Sequence, residues 1–236
     1  MSVSLRSLAA SCLDVTGDFS VRAGIYGYPH GAINRELRLL SHISNIRGQA
    51  INLSVILVAH EPGYGGQFTQ ANCQRIQAGI DRMREIYAQV GLGVRRIYWS
   101  YIPVAQAGGY STVDGSEATD LTNDWSGDND GIDVFWVSNV TDAGGWSNSD
   151  GPCNKDQDKV RTGAVLEISN SDDFTGILLA HEVGHYLRLR HFTTITNLMG
   201  VDSNNDGIGE LNSTSTDLTS DQGDRMKDSC FVRNPC

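Results

Sequence analysis

Residues 181–191 read His-Glu-Val-Gly-His-Tyr-Leu-Arg-Leu-Arg-His, and this stretch constrains the chain more than any other. His181 and His185 are four residues apart, so on a helix their imidazoles project from one face and can bind the same cation. Glu182 lies beside this pair, where its carboxylate can reach a metal-bound water. His191 comes six residues later, so the helix must end and the chain must turn back to supply a third ligand.

Three neutral imidazoles with one open position are typical of a catalytic zinc site, whereas a structural site has four protein ligands. The preceding sequence predicts the helix that carries the pair. Ser171 is a suitable N-cap, and Asp172 and Asp173 are favourable in the first turn. Apolar residues then recur at helical spacing and give one buried face; they are Phe174, Ile177, Leu178, Ala180, Val183 and Leu187.

The pattern resembles the motif of the metzincin clan of zinc peptidases, H-E-x-x-H-x-x-G-x-x-H followed by a Met-turn. The matching residues are His181, Glu182, His185, His191 and Met199. The spacing from the third histidine to Met199 is closest to that of matrixins, but Phe192 fits no subfamily and none is assigned. Arg188 stands at the position of the glycine in the family motif. A residue with a side chain adopts a left-handed backbone conformation there at a cost of roughly 1 kcal/mol, so the sequence does not determine the geometry of this turn.

The resemblance implies an α+β catalytic domain of the zincin type. Its sheet would be twisted, five-stranded and mostly parallel, with an antiparallel edge strand, an active-site helix and a C-terminal helix. It also implies a secreted zinc endopeptidase acting on peptides or proteins. Zinc on the three histidines would activate a water, Glu182 would take its proton as general base, and Met199 would form an apolar floor.

Two alternatives belong to other classes. One is a catalytically inert zinc-binding interaction or adhesion module on a metzincin fold. Arg188 favours it, and the intact Glu182 argues against it. The other is a three-histidine zinc lyase or small-molecule hydrolase, in which the ligands usually come from strands and not from a helix.

The order of predicted elements fits a zincin domain. Strands are predicted over 50–59, 94–102, 132–137 and 164–168, and helices over 69–90, from Ser171, and over about 218–229. The segment 143–159 is rich in Gly, Asn, Asp and Ser and should form loops and an edge. Within it, Gly144, Gly145 and Trp146 are the candidate rim that pairs with an extended substrate by strand addition.

The tail after the Met-turn contains a candidate calcium loop. Oxygen ligands occur at its positions 1, 3 and 5, a glycine at position 6 and Glu210 at position 9; the first three are Asp202, Asn204 and Asp206. Ser213 stands where an EF-hand has its bidentate glutamate. An Asx-rich surface turn is therefore the alternative. For the acidic loop 124–133, a surface loop is favoured over a cation site.

The domain boundary is predicted at the first strand, with residues 50–236 as the catalytic domain and residues 1–49 as an N-terminal extension. In many metzincins an N-terminal Cys or Asp occupies the open zinc position of a zymogen. Cys12 or Asp18 could do so here. The helical pattern at 32–43 more simply predicts a segment that covers the domain.

Composition excludes several classes. A net charge of −10 argues against nucleic acid and anionic membrane surfaces, and no stretch approaches the ~20 apolar residues of a membrane span. The chain is expected to be a secreted monomer. Five cysteines without C-x-x-C spacing favour disulfides in an oxidising compartment. Cys230 and Cys236 are expected to bond to Cys153 or to each other, and Cys73 to be a buried thiol.

Overall fold

The computed structural model describes residues 6–7, 48–61 and 66–234. Cys12, Asp18, Cys236 and the segment 32–43 lie outside these ranges. The pro-segment hypothesis, the covering helix and the domain boundary therefore stay predictions.

The predicted sheet is confirmed: it is mostly parallel and has an antiparallel edge strand. In chain order the strands are β1 Arg6–Ser7, β2 Gln49–Leu57, β3 Leu92–Tyr101, β4 Thr112–Val113, β5 Ile132–Val137, β6 Asn139–Val140, β7 Gly145–Trp146 and β8 Gly163–Glu167. The main sheet has the order β1-β3-β2-β5-β8-β7, and β4 pairs with β6 separately. Strands β3, β2, β5 and β8 are parallel neighbours, and β7 pairs antiparallel with β8. The short β1 adds a sixth, antiparallel strand beside β3.

Helices cover both faces of this sheet. They are α1 Gln70–Ala88, α2 Gly115–Trp125, α3 Asp172–Tyr186 and α4 Ser220–Lys227. Alternate residues of β5 separate the two faces: Val134 and Trp136 pack with α1 and α3, while Phe135 and Val137 pack with α2. No helix in the described part of the chain is long and apolar enough to cross a membrane.

Side-chain caps fix where the helices begin. Thr69, Ser171 and Thr219 each accept a hydrogen bond from the backbone N–H three residues on, as the sequence predicted for Ser171. Helix α2 was not predicted. Asp114 and Glu117 form a capping box, a sequence pattern that indicates a helix start. The glycine at position 115, a residue that disfavours helix, argued against a helix there.

The helix α3 is held against α1 by a buried polar contact as well as by apolar packing. The hydroxyl of Tyr87 donates to the Ala180 carbonyl at 2.7 Å. This bond lies one residue before the first histidine of the motif, so the register of the motif depends on the packing of the two helices.

A disulfide ties the C-terminal tail to the body of the domain. Of the predicted alternatives, the structure has Cys153 bonded to Cys230. Cys73 is also disulfide-bonded, so the prediction of a free buried thiol is wrong. Position inside a helix and burial do not distinguish a thiol from a half-cystine, because both are apolar.

A buried ion pair lies at the start of β5. Asp133 is fully buried and accepts from Lys155 Nζ at 3.0 Å, from Ser126 Oγ at 2.7 Å and from the Gly127 N–H at 2.9 Å. Burial raises the pKa of the Asp133 carboxyl, and the Lys155 charge opposes that rise. The acidic loop 124–133 is thereby fixed by one lysine from the loop that leads to β8.

Removing only the lysine should leave a buried charge without its partner. We expect Lys155→Met to lower the free energy of unfolding by about 3–5 kcal/mol at pH 7. The loss should shrink at pH 5, because a carboxyl with a raised pKa can take up a proton there. Urea unfolding measures both values. Lys159→Met, an exposed lysine of the same loop, is the control and should change stability by less than about 0.5 kcal/mol. Equal losses for the two variants would contradict the buried pair.

Candidate metal centre

Three imidazoles converge at the C-terminal end of α3. His181 and His185 lie on the helix with their Nε2 atoms 3.1 Å apart, and His191 Nε2 lies 3.1 Å from that of His185. In the described part of the chain, these three histidines form the one group of histidine, cysteine or carboxylate side chains that could hold a metal ion. The helix-borne pair and the returning third histidine predicted from the sequence are therefore brought together.

Backbone carbonyls orient the two helical histidines. His181 Nδ1 lies 2.9 Å from the Leu198 carbonyl oxygen, and His185 Nδ1 lies 2.9 Å from that of Leu189. A carbonyl oxygen only accepts, so Nδ1 carries the proton in both rings. The Nε2 lone pairs are left free and directed at the third ring.

These imidazoles are held in the form that binds metal. Burial, with the His185 charge, sets the pKa of His181 well below its usual value, and burial lowers that of His185 to about 4. Burial also lowers the pKa of His191, against the opposing charge of Asp202. Tetrahedral zinc with Zn–N bonds of about 2.0–2.1 Å would separate its nitrogens by roughly 3.3–3.4 Å. The three converging acceptors fit that ion.

The turn that delivers His191 is made without the glycine of the family motif. Arg188 adopts φ 76°, a left-handed conformation. Its N–H donates to the His185 carbonyl at 2.9 Å, and the Leu189 N–H donates to Gly184 at 3.0 Å, which closes the helix end. The side chain is held by Asp150 at 3.2 Å. The turn left open by the sequence therefore keeps the geometry that a glycine would allow, with some backbone strain.

Met199 lies beneath the histidines, in the Met-turn predicted from the sequence. Its sulfur would be 3.0 Å from a Cβ added at Gly184, between the two helical ligands, and the residue is fully buried. Asn197 fixes this turn: its side chain accepts from the Met199 N–H and exchanges two hydrogen bonds with Gln222 of α4. No sequence pattern pointed to this amide pair.

The carboxylate of Glu182 is wedged between the histidines and the edge strand β7. Glu182 is 5% exposed, and a Cβ added at Gly145 would lie 2.9 Å from its Oε1. Only glycine allows the strand to come so close. Burial raises the pKa of the Glu182 carboxyl to about 8, while the nearby Arg161 charge lowers it. Zinc at the histidines would add a second positive charge with the same effect.

The candidate rim residues Gly144, Gly145 and Trp146 line the cleft, and their role in binding substrate stays a prediction. Gly145 and Trp146 form β7, and Gly144 lies just before it. The cleft has a volume of about 200 Å³ and includes all three histidines and Glu182. Arg161 also lines it and was not predicted, because a single arginine in a loop has no distinguishing pattern.

The candidate calcium loop folds as a turn closed by its own hydrogen bonds. Asp202 accepts from the N–H groups of Asp206 and Gly207, each at 3.0 Å, and Asn204 donates to Asp206 at 2.9 Å. Glu210 contacts Ser203. These bonds are those of an Asx-rich turn. Calcium binding by this loop stays a prediction.

The same loop approaches the metal centre from its far side. The Asp202 carboxylate lies 3.8 Å from His191 Nδ1. A Cβ added at Gly209 would be 2.8 Å from His191 Nε2 and 3.0 Å from His181 Cε1. Gly207, Ile208 and Gly209 thus wall the cleft opposite β7.

Comparison with known proteins adds little at the level of sequence. No protein-family model and no curated protein matches the chain. Among solved structures, the archaemetzincin from Methanopyrus kandleri is 14% identical, with a TM-score of 0.46 over 75% of this chain and 94% of that one. Metalloproteinase-II from Bacteroides fragilis is 18% identical, with a TM-score of 0.46 over 75% of this chain and 52% of that one. This chain therefore covers about half of the Bacteroides protein.

Zinc titration tests the centre directly. We expect one zinc ion per chain, and His191→Ala should weaken its binding by more than about 100-fold, because two imidazoles remain. Isothermal titration calorimetry measures the stoichiometry and the affinity. Thr193→Ala, two residues away and exposed, is the matched control and should bind as the wild type does. Unchanged affinity in His191→Ala would exclude that residue as a ligand.

The strain at Arg188 is measurable as stability. We expect Arg188→Gly to raise the free energy of unfolding by about 0.5–1 kcal/mol, since glycine adopts φ 76° without a steric cost. The lost ion pair with Asp150 is exposed and contributes little. Asp150→Asn, followed by urea unfolding, measures that contribution separately. A marked loss of stability in Arg188→Gly, with none in Asp150→Asn, would show that the turn is not strained.

Proposed function

We propose that this protein is a secreted zinc-dependent endopeptidase. The observation that carries the proposal is the position of Glu182, buried between the three histidines and the free edge strand of one cleft. A zinc ligand set, a carboxylate base and a strand able to bind extended peptide thus share one cleft. Each of these is found alone in many proteins, but together they fit the hydrolysis of a peptide bond.

Zinc held by His181, His185 and His191 would supply Lewis acidity, lowering the pKa of a water and polarising a carbonyl. The remaining chemistry belongs to Glu182. Its carboxylate takes a proton from the attacking water and delivers it to the leaving amine. Its burial excludes bulk water from that exchange. Its position against Gly145 supports a scissile bond bound beside the edge strand.

Strand β7 supports recognition of an extended peptide. On one side it pairs with β8, and in the described part of the sheet no strand pairs with its other side. A peptide can add there by backbone hydrogen bonds, with Gly144, Gly145 and Trp146 as the rim. Such binding depends little on side chains and suits an enzyme that cuts within a chain.

Arg188 was the feature that favoured the alternative of a catalytically inert zinc-binding module, and its geometry does not support that alternative. Arg188 departs from the family motif, yet its backbone makes the required turn and His191 reaches the cluster. The disulfide between Cys153 and Cys230 fits an oxidising, extracellular compartment. Latency through residues 1–49, calcium in the loop 202–210 and a monomeric state remain predictions.

The general base is tested by Glu182→Gln. We expect this variant to bind zinc as the wild type does but to lose about 100- to 10,000-fold in kcat, because the amide cannot accept the proton. Cleavage of a mixed peptide library, read by mass spectrometry, detects the loss, and zinc titration checks the metal site. Glu210→Gln removes an exposed carboxylate that does not line the cleft, and this control should retain activity. Undiminished cleavage by Glu182→Gln would exclude it as the base, and inactivity of both wild type and variant would favour an inert module.

A further inference from the structure

Arg161 lies between the cleft and a second pocket. Its side chain lines the cleft together with His181 and Glu182. It also lines an adjoining surface pocket of about 380 Å³, together with Lys159, Asn148 and Thr119. The chemistry proposed for the cleft does not use this second pocket. Two basic side chains at one pocket are unusual in a chain with a net charge of −10.

The charge of Arg161 is not neutralised by its hydrogen bonds. The guanidinium donates to the Ser147 carbonyl at 2.8 Å, the Gly115 carbonyl at 2.6 Å and Thr119 Oγ1 at 3.2 Å. All three acceptors are uncharged. The Glu182 carboxylate acts on it through space but lies beyond ion-pairing distance, as does every other carboxylate in the described part of the chain. Acceptors of this kind fix the position of the guanidinium and leave its positive charge in the site.

Lys159 adds a second cation to the lining of the pocket. It is exposed, and its backbone N–H is fixed by Asn123 Oδ1 at 2.8 Å. Its ammonium forms no ion pair within the described ranges. The Thr119 hydroxyl already donates to the Gly115 carbonyl, so the two cations and the Asn148 amide are the donors that this pocket offers to a carboxylate.

Strand β7 relates this pocket to the scissile bond. Glu182 abuts Gly145, so the reacting carbonyl lies near that residue. Asn148 is three residues further along, two residues beyond the end of β7, and so at most about 10 Å from Gly145 along the chain. The antiparallel ladder is the more stable one, so a peptide on the free edge of β7 would run opposite to it. Its amino-terminal side then passes Ser147 and Asn148 and reaches the basic pocket.

We propose that Arg161 and Lys159 form a substrate subsite that selects an aspartate or glutamate two or three residues before the scissile bond. This inference rests on the proposed peptidase function. Arg161 has a second role as a positioning residue, because it binds the carbonyl that follows β7 and lies 5.6 Å from the centre of the Trp146 ring. The selection is electrostatic, and so salt should weaken it.

Paired peptides test the subsite. Each pair is identical except for Glu or Gln at one of the four positions before the scissile bond, and kcat/KM is measured for both members. We expect the wild type to prefer Glu by about tenfold at the second or third position, through KM, and by less in 0.5 M salt. The ratio within a pair is unaffected by changes in overall activity. It therefore stays meaningful if a variant folds less well or moves the rim.

The variants separate charge from position. Arg161→Gln and Lys159→Gln should each reduce the preference, and the double variant should abolish it. Arg161→Lys should keep the preference while lowering activity on both peptides, because the charge remains and the forked hydrogen bonds are lost. Arg225→Gln, an exposed arginine of α4, removes the same charge elsewhere and should leave the ratio unchanged.

The possible failures are distinguishable. Cleavage of both peptides at equal rates by the wild type would overturn the subsite and leave the peptidase proposal standing. So would a preference that survives in the double variant, or one that Arg225→Gln reduces equally. Cleavage of neither peptide by a zinc-loaded wild type would overturn the peptidase proposal, and the subsite with it.

Discussion

Two hydrogen bonds from imidazole to backbone determine the metal centre. The Leu189 and Leu198 carbonyls hold the protons on Nδ1 of His185 and His181, and thereby leave each Nε2 free for a metal. Each carbonyl belongs to a turn: Leu189 to the end of α3 and Leu198 to the Met-turn. Both turns must therefore keep their geometry. This explains why a left-handed arginine is tolerated at position 188, and why Asn197 is bonded to Gln222 of α4.

The same bonds couple folding to metal binding. His185 Nε2 lies 3.1 Å from the Nε2 atoms of both His181 and His191, and burial of the two helical histidines keeps water from satisfying these lone pairs fully. A cation removes that cost, so ion binding and formation of the two turns stabilise each other. The packing of α1 on α3 supplies the rigid part of the centre, since the Tyr87 hydroxyl is bonded one residue before His181.

Features that depend on a local sequence pattern could be predicted from the sequence. Spacing of four fixes the helical pair, a capping residue fixed the start of α3, and apolar β-branched runs fixed the parallel strands. It could not show contacts between distant segments that have no repeating pattern. The Asn197–Gln222 pair, the buried Asp133–Lys155 ion pair and Arg161 all depend on folding of the whole domain. Cys73 illustrates the limit, because its helical position indicated burial but not its disulfide.

One short strand, β7, connects Glu182 with Arg161. Gly145 touches Glu182, and two residues later the Ser147 carbonyl is held by Arg161. Arg161 is bonded in turn to the first turn of α2 through Gly115 and Thr119. Because β7 is only two residues long, a shift at either end moves the other. A helix on one face of the sheet therefore fixes the strand against which Glu182 of the helix on the other face is placed. This pre-organisation costs nothing further when a peptide binds.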